Sequence, residues 1–430
     1  MTPVALILWA LVALLLVGLP AAIAMGTAGT IYFALTRGID NLPFELIASR
    51  IVYGIDSFPL LAIPLFLLVG HLMNESGATD RIFAFADAAV GHFRGGLGHV
   101  NVIASMVFAG MSGSGTADAA GLGAIEIKAM RAAGYDDRFT IGVTAGSALI
   151  GPIIPPSIPA ILFAILANVS VTDILLAGAI PGLLMGVAMM LLVAFYAWRR
   201  GYPKRAFSGL RRVWVTFLSA FASLLTPAIL IGGIIFGVFT ATEAAAVASV
   251  WAIILSVVIY RNVGLAKLVQ IFRRTTLDSA IIMFILACST LFGWILTRTK
   301  TPDAIAEWLA GLSADPTTII ALIIVFLLVI GCFTSVIVAI NILTPILVPV
   351  AVAVGFDPVH FGVVMIMTLV IGEVTPPFGM VLFVLTRISA RPFAFVVGAT
   401  LPWILTVLLV VLVVASFPQL ALWLPALVRQ

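Results

Sequence analysis

The stretch GMSGSG…IGPIIPP, residues 110–156, and the stretch GCFTSV…IGEVTPP, residues 331–377, are two copies of one pattern. A constant offset of 221 residues aligns the copies from the first glycine to the last proline. In the same register, the turn Gly-Tyr-Asp that begins at Gly134 falls on Gly-Phe-Asp at Gly355. Each copy therefore has a small polar break, a polar turn and a Gly…Pro-Pro break. Two copies of such interruptions are typical of a transporter built from repeats with broken helices.

Composition indicates an integral membrane protein. The 430 residues are 63% hydrophobic and 9% charged, with a mean hydropathy of +1.25, whereas a soluble domain carries about 25% charged residues. The long apolar runs do not alternate with polar residues, so they predict helices rather than strands. The net charge of +4 requires no nucleic acid to explain it. Cys288 and Cys332 both lie in apolar runs, which argues against a disulfide framework and a metal cluster.

The apolar runs predict an all-α polytopic fold, since a membrane helix needs about 20 apolar residues. The predicted spans are residues 4–34, 57–74, 139–167, 173–198, 213–236, 241–260, 276–296, 360–386 and 393–417. Two further apolar stretches, residues 98–129 and 317–354, are broken midway by small polar residues and are predicted to be re-entrant helical hairpins. Residues 40–53 and 301–312 are predicted to be amphipathic surface helices.

Charge predicts the orientation. Residues 199–212 form a basic loop with six cations and no acid, so the positive-inside rule places it in the cytoplasm. Counting outward, the N-terminus is predicted to be cytoplasmic and the C-terminus periplasmic. The first hairpin then opens from the cytoplasm and the second from the periplasm. The chain thus divides into a first half, residues 1–212, and an inverted second half, residues 213–430, each with one hairpin and one Pro-Pro-interrupted helix.

The breaks suggest binding sites. Residues 112–116, SGSGT, contain two glycines and three hydroxyls, and such a segment continues a helix poorly. Freed carbonyls and hydroxyls suit a cation, and half-helix N-termini suit an anion. The alternative is a close helix–helix contact between small residues. Each Pro-Pro pair, at residues 155–156 and 376–377, removes backbone donors and predicts either local unwinding or a simple kink.

Two carboxylates, Asp118 and Glu373, are predicted to lie at membrane depth, where a charge costs at least ~2.5 kcal/mol. Either one could bind a cation or a proton, line an aqueous cavity, or pair locally. Glu243 and Asp278 are predicted to be acids in the first turn of their helices, near span ends. The four histidines are predicted to lie at or near loops, at the membrane interface: His71, His92, His99 and His360.

Several motifs resemble one family over nearly the whole chain. These motifs are PLFLLVGHLMNESG, which begins at Pro64, GMSGSG, AMRAAGYDDRF, GPIIPPSIP, TPAILIGGIIFGVFTATEAAA and IGEVTPPFG. They are similar to the DctM-like large membrane subunit of tripartite ATP-independent periplasmic (TRAP) transporters. The resemblance implies an elevator-type secondary transporter in the bacterial inner membrane, which imports organic acids with a sodium gradient. It also implies two partners, a periplasmic substrate-binding protein and a small four-helix membrane subunit on a separate chain.

The resemblance implies two sodium sites built from backbone oxygens around the breaks. The implied residues of the first site are Ser112, Gly113, Ser114, Gly151, Ile154 and Pro155. The implied residues of the second site are Gly331, Thr334, Val336, Gly372, Thr375 and Pro376. The candidate substrate-binding residues are Ser114, Thr116, Ser157, Ser335 and Glu373. The chain departs from the family pattern at three of its positions. Ser335 stands where many members carry an acid, whereas Glu373 and Asp118 stand where apolar residues are common.

The sequence therefore predicts a sodium-coupled importer subunit, and not an enzyme, for a small carboxylate such as a C4-dicarboxylate. A proton-coupled transporter of the same fold and an anion channel are the alternatives. The motif Gly110-Met111-Ser112-Gly113 also fits the GxSG pattern of an intramembrane serine protease. A serine nucleophile needs a base within hydrogen-bond reach, and no histidine lies in the core of a predicted span.

Overall fold

The computed structural model describes residues 3–202, 204–312 and 315–428, and within these ranges it contains helices and no strands. Among the described residues, seven helices are long and apolar enough to cross a membrane. They are Phe58–Glu75, Val171–Arg199, Leu210–Ile235, Ala241–Ile259, Leu265–Arg298, Val336–Ala353 and Phe393–Ser416. The other apolar helices are shorter, because glycine, proline and polar residues interrupt them. The prediction of an all-α polytopic membrane protein is confirmed.

The N-terminal span predicted over residues 4–34 is wrong. Two helices, α1 and α2, form here and pack against each other. Gly18 adopts a positive φ of 90° between them and Pro20 immediately precedes α2, so the chain turns instead of continuing as one helix. The sequence reading also missed α5. The bounds are α1 Pro3–Leu16, α2 Ala21–Arg37, α3 Phe44–Tyr53, α4 Ala62–Glu75 and α5 Ala78–Val90.

The first repeat continues with two interrupted helix pairs and one long helix. Two residues separate α6 from α7, and nine residues, 149–157, separate α8 from α9. The interruptions fall where the sequence predicted them, because the small polar residues and the Pro-Pro pair cannot complete a helical ladder. The bounds are α6 Gly96–Ser112, α7 Gly115–Ala132, α8 Asp137–Ala148, α9 Ile158–Ala167 and α10 Val171–Arg199.

The middle of the chain supplies long helices. A π-helical turn joins α11 to the short α12, and a second such turn extends α13 to Ile259. The helix α14 begins eleven residues before the predicted span of residues 276–296, and the predicted surface helix over residues 301–312 is found as α15. The bounds are α11 Leu210–Pro227, α12 Gly233–Ile235, α13 Ala241–Ile254, α14 Leu265–Arg298 and α15 Thr301–Leu312.

The second repeat follows the register of the first. The helix after its first interruption starts at Val336, 221 residues after Gly115. Both of these helices are capped by serine side chains, Ser114 and Ser335, and the next helices are both capped by aspartates. The bounds are α16 Pro316–Gly331, α17 Val336–Ala353, α18 Pro358–Gly372, α19 Met380–Ser389, α20 Phe393–Ser416 and α21 Gln419–Val428.

The helices pack into two groups. The interrupted helices and their neighbours, α6–α10 and α16–α21, pack mainly on each other, and we call them the repeat bundle. The helices α1–α4, α13 and α14 form the framework, in which α14 packs against α2, α3 and α4. The two groups meet where α4 contacts α6 and where α14 contacts α17. The helix breaks of the repeat bundle thus lie beside a second, continuous set of helices.

Candidate functional site

The first break, residues 112–116, interrupts the helical backbone between α6 and α7 with one left-handed and one extended residue. Gly113 ends α6 with a positive φ of 61°, which favours glycine. The Ser114 hydroxyl then accepts a hydrogen bond from the Ala117 N–H at 3.4 Å and caps α7. It also lies 3.1 Å from the Thr116 hydroxyl. Hydroxyl oxygens and the positive end of the α7 dipole therefore meet at one point.

The first Pro-Pro break, residues 149–157, lies directly against the first break. A Cβ built on Gly113 would lie 2.5 Å from the carbonyl oxygen of Pro156. A Cβ built on Gly151 would lie 3.2 Å from the carbonyl carbon of Ser114. The Ser157 hydroxyl caps α9 by accepting from Ala160 N–H at 3.1 Å, and it donates to the Pro152 carbonyl. The structure thus brings together the two segments proposed for the first sodium site.

The second break, residues 332–335, lies against the second Pro-Pro break, residues 373–379. A Cβ built on Gly372 would lie 2.2 Å from the carbonyl oxygen of Gly331, so the two backbones touch. The Phe378 N–H donates to the Cys332 carbonyl at 3.3 Å and ties the two breaks together. The Ser335 hydroxyl caps α17 by accepting from the Val338 N–H at 3.4 Å. The segments proposed for the second sodium site are therefore adjacent as well.

Both pairs of breaks carry oxygen atoms for which the described residues outside the helices supply no backbone donor. Among the described residues, no backbone N–H outside the helices donates to the carbonyls of Gly113 and Pro156, or to those of Gly331 and Thr334. The Ser112 hydroxyl is buried without a hydrogen-bond partner there. The described residues contain no group of three His, Cys, Asp or Glu that could hold a metal. Any cation at these breaks would therefore be held mainly by carbonyl and hydroxyl oxygens, and the residues present fit that requirement.

Glu373 joins the two repeats at the first break. Its Oε2 atom lies 2.7 Å from the position of a Cβ built on Gly115, the first residue of α7. That oxygen is buried and has no hydrogen-bond partner in the described part of the chain. A carboxylate at a helix N-terminus interacts favourably with the helix dipole. The second repeat thus contributes an acidic side chain to the site of the first.

A cavity of about 390 Å³ opens between the first break and the framework. Its wall on the repeat bundle includes Ser112, Ser114 and Thr116, of which the Ser112 hydroxyl is itself buried. The candidate substrate residues Ser157 and Ser335 do not line it. Two of the five candidates, Ser114 and Thr116, therefore share one cavity, whereas the others lie at neighbouring breaks.

The framework wall of this cavity carries polar residues that sequence reasoning missed. His71 and Asn74 come from α4, and Arg274 and Asp278 come from α14. Asp278 Oδ2 lies 3.3 Å from His71 Nε2 and 3.9 Å from Arg274 Nε. The prediction that Asp278 is a first-turn acid is wrong, because α14 begins at Leu265. The i,i+4 spacing of an arginine and an aspartate within an apolar helix was the available signal.

His360 is the third residue of α18, beside a loop as predicted, but its ring is buried between helices. Its side chain is 1% exposed, and Nε2 lies 2.8 Å from the carbonyl oxygen of Val414 on α20. His71 is half-buried, and its Nδ1 lies 2.9 Å from the Thr275 hydroxyl. Packing of α18 on α20 and of α4 on α14 buries these rings. Neither contact can be read from the local sequence.

Asp118 lies in a buried polar cluster inside the repeat bundle, away from the cavity. It is 1% exposed, and Ser105 faces it without the geometry of a hydrogen bond, so both carboxylate oxygens lack a partner among the described residues. Glu126, which sequence reasoning missed, is equally buried. Its Oε2 accepts from the Asn101 side chain at 2.7 Å, and its Oε1 has no partner there. Asn101 also donates to Thr144 at 2.8 Å.

Ion pairs hold the turn between α7 and α8. Burial by itself would raise the pKa of Asp136, but hydrogen bonds from Tyr202 and Arg200 outweigh it and lower that pKa. Burial and the contact with Asp136 raise the pKa of Tyr202 to about 12. Asp137 pairs with Arg131 at 2.8 Å and, from the other repeat, with Arg391 at 2.5 Å. The two repeats are thus linked at this turn.

Comparisons with known proteins show the family and the fold of the chain. The family model described as the tripartite ATP-independent periplasmic transporter, DctM component, matches residues 8–420. The sialic acid TRAP transporter large permease protein SiaM of Vibrio cholerae is 43% identical over 414 residues, which are 96% of each chain. The C4-dicarboxylate TRAP transporter large permease protein DctM of Pseudomonas aeruginosa is 35% identical, over 88% of this chain and 89% of that protein. The crystal structure of the Alcanivorax borkumensis YdaH transporter is similar in fold, with a TM-score of 0.63, 14% identity and 99% coverage of both chains.

Proposed function

Because the chain belongs to the DctM component family of tripartite ATP-independent periplasmic transporters, we propose that it is the membrane subunit that moves a small organic acid across the bacterial inner membrane with a sodium gradient. The observation that carries this proposal is the contact between each small polar break and its Pro-Pro break. At each contact, carbonyl oxygens that accept no backbone hydrogen bond from the described residues outside the helices lie beside a serine hydroxyl, at the ends of half-helices. Such an arrangement can bind an ion and an anion together.

Sodium coupling follows from the order of binding that this geometry favours. A cation held by the Gly113 and Pro156 carbonyls lowers the cost of bringing an anion to the Ser114 and Thr116 hydroxyls. The same cation would offset the negative charge of Glu373. The coupling is then the difference in substrate affinity between the ion-bound and ion-free protein. In this proposal the repeat bundle moves against the framework as an elevator, and the helix pairs α6–α7 and α16–α17 act as re-entrant hairpins.

The proposed substrate class is a small carboxylate. The cavity of about 390 Å³ suits a small molecule. Its walls combine hydroxyl donors, the N-terminus of α7 and one arginine, all of which favour an anion. The named relatives handle sialic acid and C4-dicarboxylates, and both are carboxylates. We propose two partners, a small membrane subunit on a separate chain and a periplasmic binding protein that delivers the acid.

Reconstituted uptake tests the proposal. The subunit and its two partners are placed in proteoliposomes and offered labelled N-acetylneuraminate and succinate with an inward sodium gradient. We expect sodium-dependent uptake that requires the binding protein and shows counterflow, which a channel does not show. Ser114→Ala and Ser335→Ala are each expected to weaken uptake about tenfold, since each loses a capping hydroxyl beside a proposed ion site. Normal uptake kinetics in both variants would contradict the site assignment.

Proton coupling is a second candidate, and the buried carboxylates Asp118 and Glu126 favour it. They share one polar cluster, and no cation pairs with either of them among the described residues. An isolated buried carboxylate binds a proton rather than remain charged. The same proteoliposomes with a proton gradient alone separate the two candidates. Uptake under that condition, abolished by Asp118→Asn, would assign the coupling to this cluster instead of to the breaks.

A further inference from the structure

The framework wall of the cavity holds an arginine placed to bind the substrate. We infer that Arg274 is the carboxylate-binding residue of the cavity and that Asp278 occupies it when no substrate is present. This inference rests on the proposed function, because it assigns a ligand contact to the cavity where an organic acid would sit. It goes further by placing that contact on α14 of the framework, opposite the breaks that carry the proposed ion sites.

Arg274 is only loosely paired. Its Nε lies 3.9 Å from Asp278 Oδ2, and its side chain is 68% exposed although it lines the cavity. A guanidinium binds a carboxylate best through two parallel hydrogen bonds of about 2.7–2.9 Å. The 3.9 Å contact leaves the guanidinium free to make such a pair with a ligand. Among the described residues, no arginine or lysine other than Arg274 lines this cavity.

Asp278 has a second neighbour that can retain it. Its Oδ2 lies 3.3 Å from His71 Nε2, and His71 Nδ1 lies 2.9 Å from the Thr275 hydroxyl. Glu75, the acid at the C-terminal end of α4, is paired with Lys267 at 2.6 Å. Asp278 is therefore the carboxylate that competes for Arg274. When a ligand carboxylate binds Arg274, Asp278 keeps its contact with His71.

The opposite wall completes the recognition. Ser114, Thr116 and the N-terminal end of α7 line the same space. An acid with a carboxylate at one end and a second carboxylate, hydroxyl or carbonyl groups at the other would match the two walls. The ligand class is thus a polar organic acid, held between the guanidinium of Arg274 on the framework and hydroxyl donors on the repeat bundle.

Binding calorimetry on the full chain in nanodiscs tests the inference with succinate, N-acetylneuraminate and gluconate as probes and glucose as the uncharged control. Arg274→Gln is expected to weaken the binding of the acids at least tenfold, because a charge-assisted pair is lost. Arg274→Lys keeps the charge without the fork and is expected to lose less. Asp278→Asn removes the competitor and is expected to tighten binding about threefold. Arg273→Gln, on the same helix but outside the cavity, is the matched control and is expected to bind as the wild type does.

The outcomes separate the inference from the proposed function. Binding of an acid with unchanged affinity in Arg274→Gln would overturn the inference alone. Loss of affinity in Asp278→Asn would also overturn it, because the ion pair would then be structural. Wild-type protein that binds none of the three acids would overturn the proposed function as well. If Arg274→Gln fails to fold, the gain expected for Asp278→Asn still decides, since misfolding cannot tighten binding.

Discussion

The two repeats carry the same interruptions but place them in different surroundings. At the first break Ser112 is 4% exposed, and Pro155 and Pro156 are buried. At the second break Phe333 and Phe378 are 59% and 57% exposed. The local backbone chemistry is shared, so the difference comes from what packs on each break. One sequence pattern can therefore be packed among neighbouring helices in one half and more exposed in the other.

Close contacts with neighbouring helices explain why the first break is buried. A Cβ built on Gly70 of α4 would lie 3.4 Å from the Cα of Ser112, so the framework touches the break. A Cβ built on Gly110 would lie 2.7 Å from the Cβ of Pro227 on α11. Glu373 covers the start of α7 from the other repeat. The second break receives its close contact from its own Pro-Pro break.

The largest expected effect concerns the contact within the second repeat. Gly372→Ala places a Cβ 2.2 Å from the Gly331 carbonyl oxygen, and neither atom can move away without a shift of its own backbone. We expect the free energy of unfolding to fall by about 3 kcal/mol. We also expect uptake to be lost. The equivalent change in the first repeat, Gly151→Ala, meets Ser114 at 3.2 Å, and we expect a loss below about 1 kcal/mol. Thermal unfolding of both variants in detergent measures the order, and the reverse order would contradict the comparison.

A smaller effect is expected from the left-handed residue of the first break. The second repeat has Thr334 at the position of Gly113, so only the first break requires a positive φ here. Gly113→Ala is expected to cost about 1–2 kcal/mol for its φ, and more for the 2.5 Å approach to Pro156. Gly134→Ala is the control, because it has a φ of 80° and open space around its Cβ. Equal shifts in unfolding midpoint would show that Pro156 does not close the first break.

The smallest effect concerns the aspartates that cap the helices after each polar turn. Asp136→Asn keeps the cap but loses the ion pair with the partly exposed Arg200, and about 0.5 kcal/mol is expected. The lowered pKa of Asp136 means that this contribution is complete above the unfolded pKa near 3.9 and disappears as the pH falls through the lower folded pKa. Asp357→Asn, in the second repeat, keeps its cap as well and is the control. Unfolding midpoints measured downward from pH 6 should converge for Asp136→Asn and wild type. A gap that persists at the lowest pH would contradict the assignment.

The positions of the breaks were predictable from the sequence. The side chains that gather around them were predictable only in part. Glycine, serine and Pro-Pro pairs in apolar runs end α6, α8, α16 and α18 within a few residues of the predicted points. The turn at Gly18 was missed, because one glycine in an apolar run is a weak signal. Glu126 was missed because it looks like an exposed acid on an amphipathic helix until Asn101 is placed beside it.

The sequence by itself determined the membrane class, the helical fold, the register of two repeats and the family. Each of these depends on composition or on chemistry that acts over a few neighbouring residues. Only the tertiary structure decided that the first break is packed among neighbouring helices and that Glu373 lies at the start of α7. It also decided that Arg274 and His71 line a cavity with Ser114. His71 and Thr275 are 204 residues apart and meet at 2.9 Å. Such contacts arise from the packing of distant helices, whose geometry no local pattern encodes.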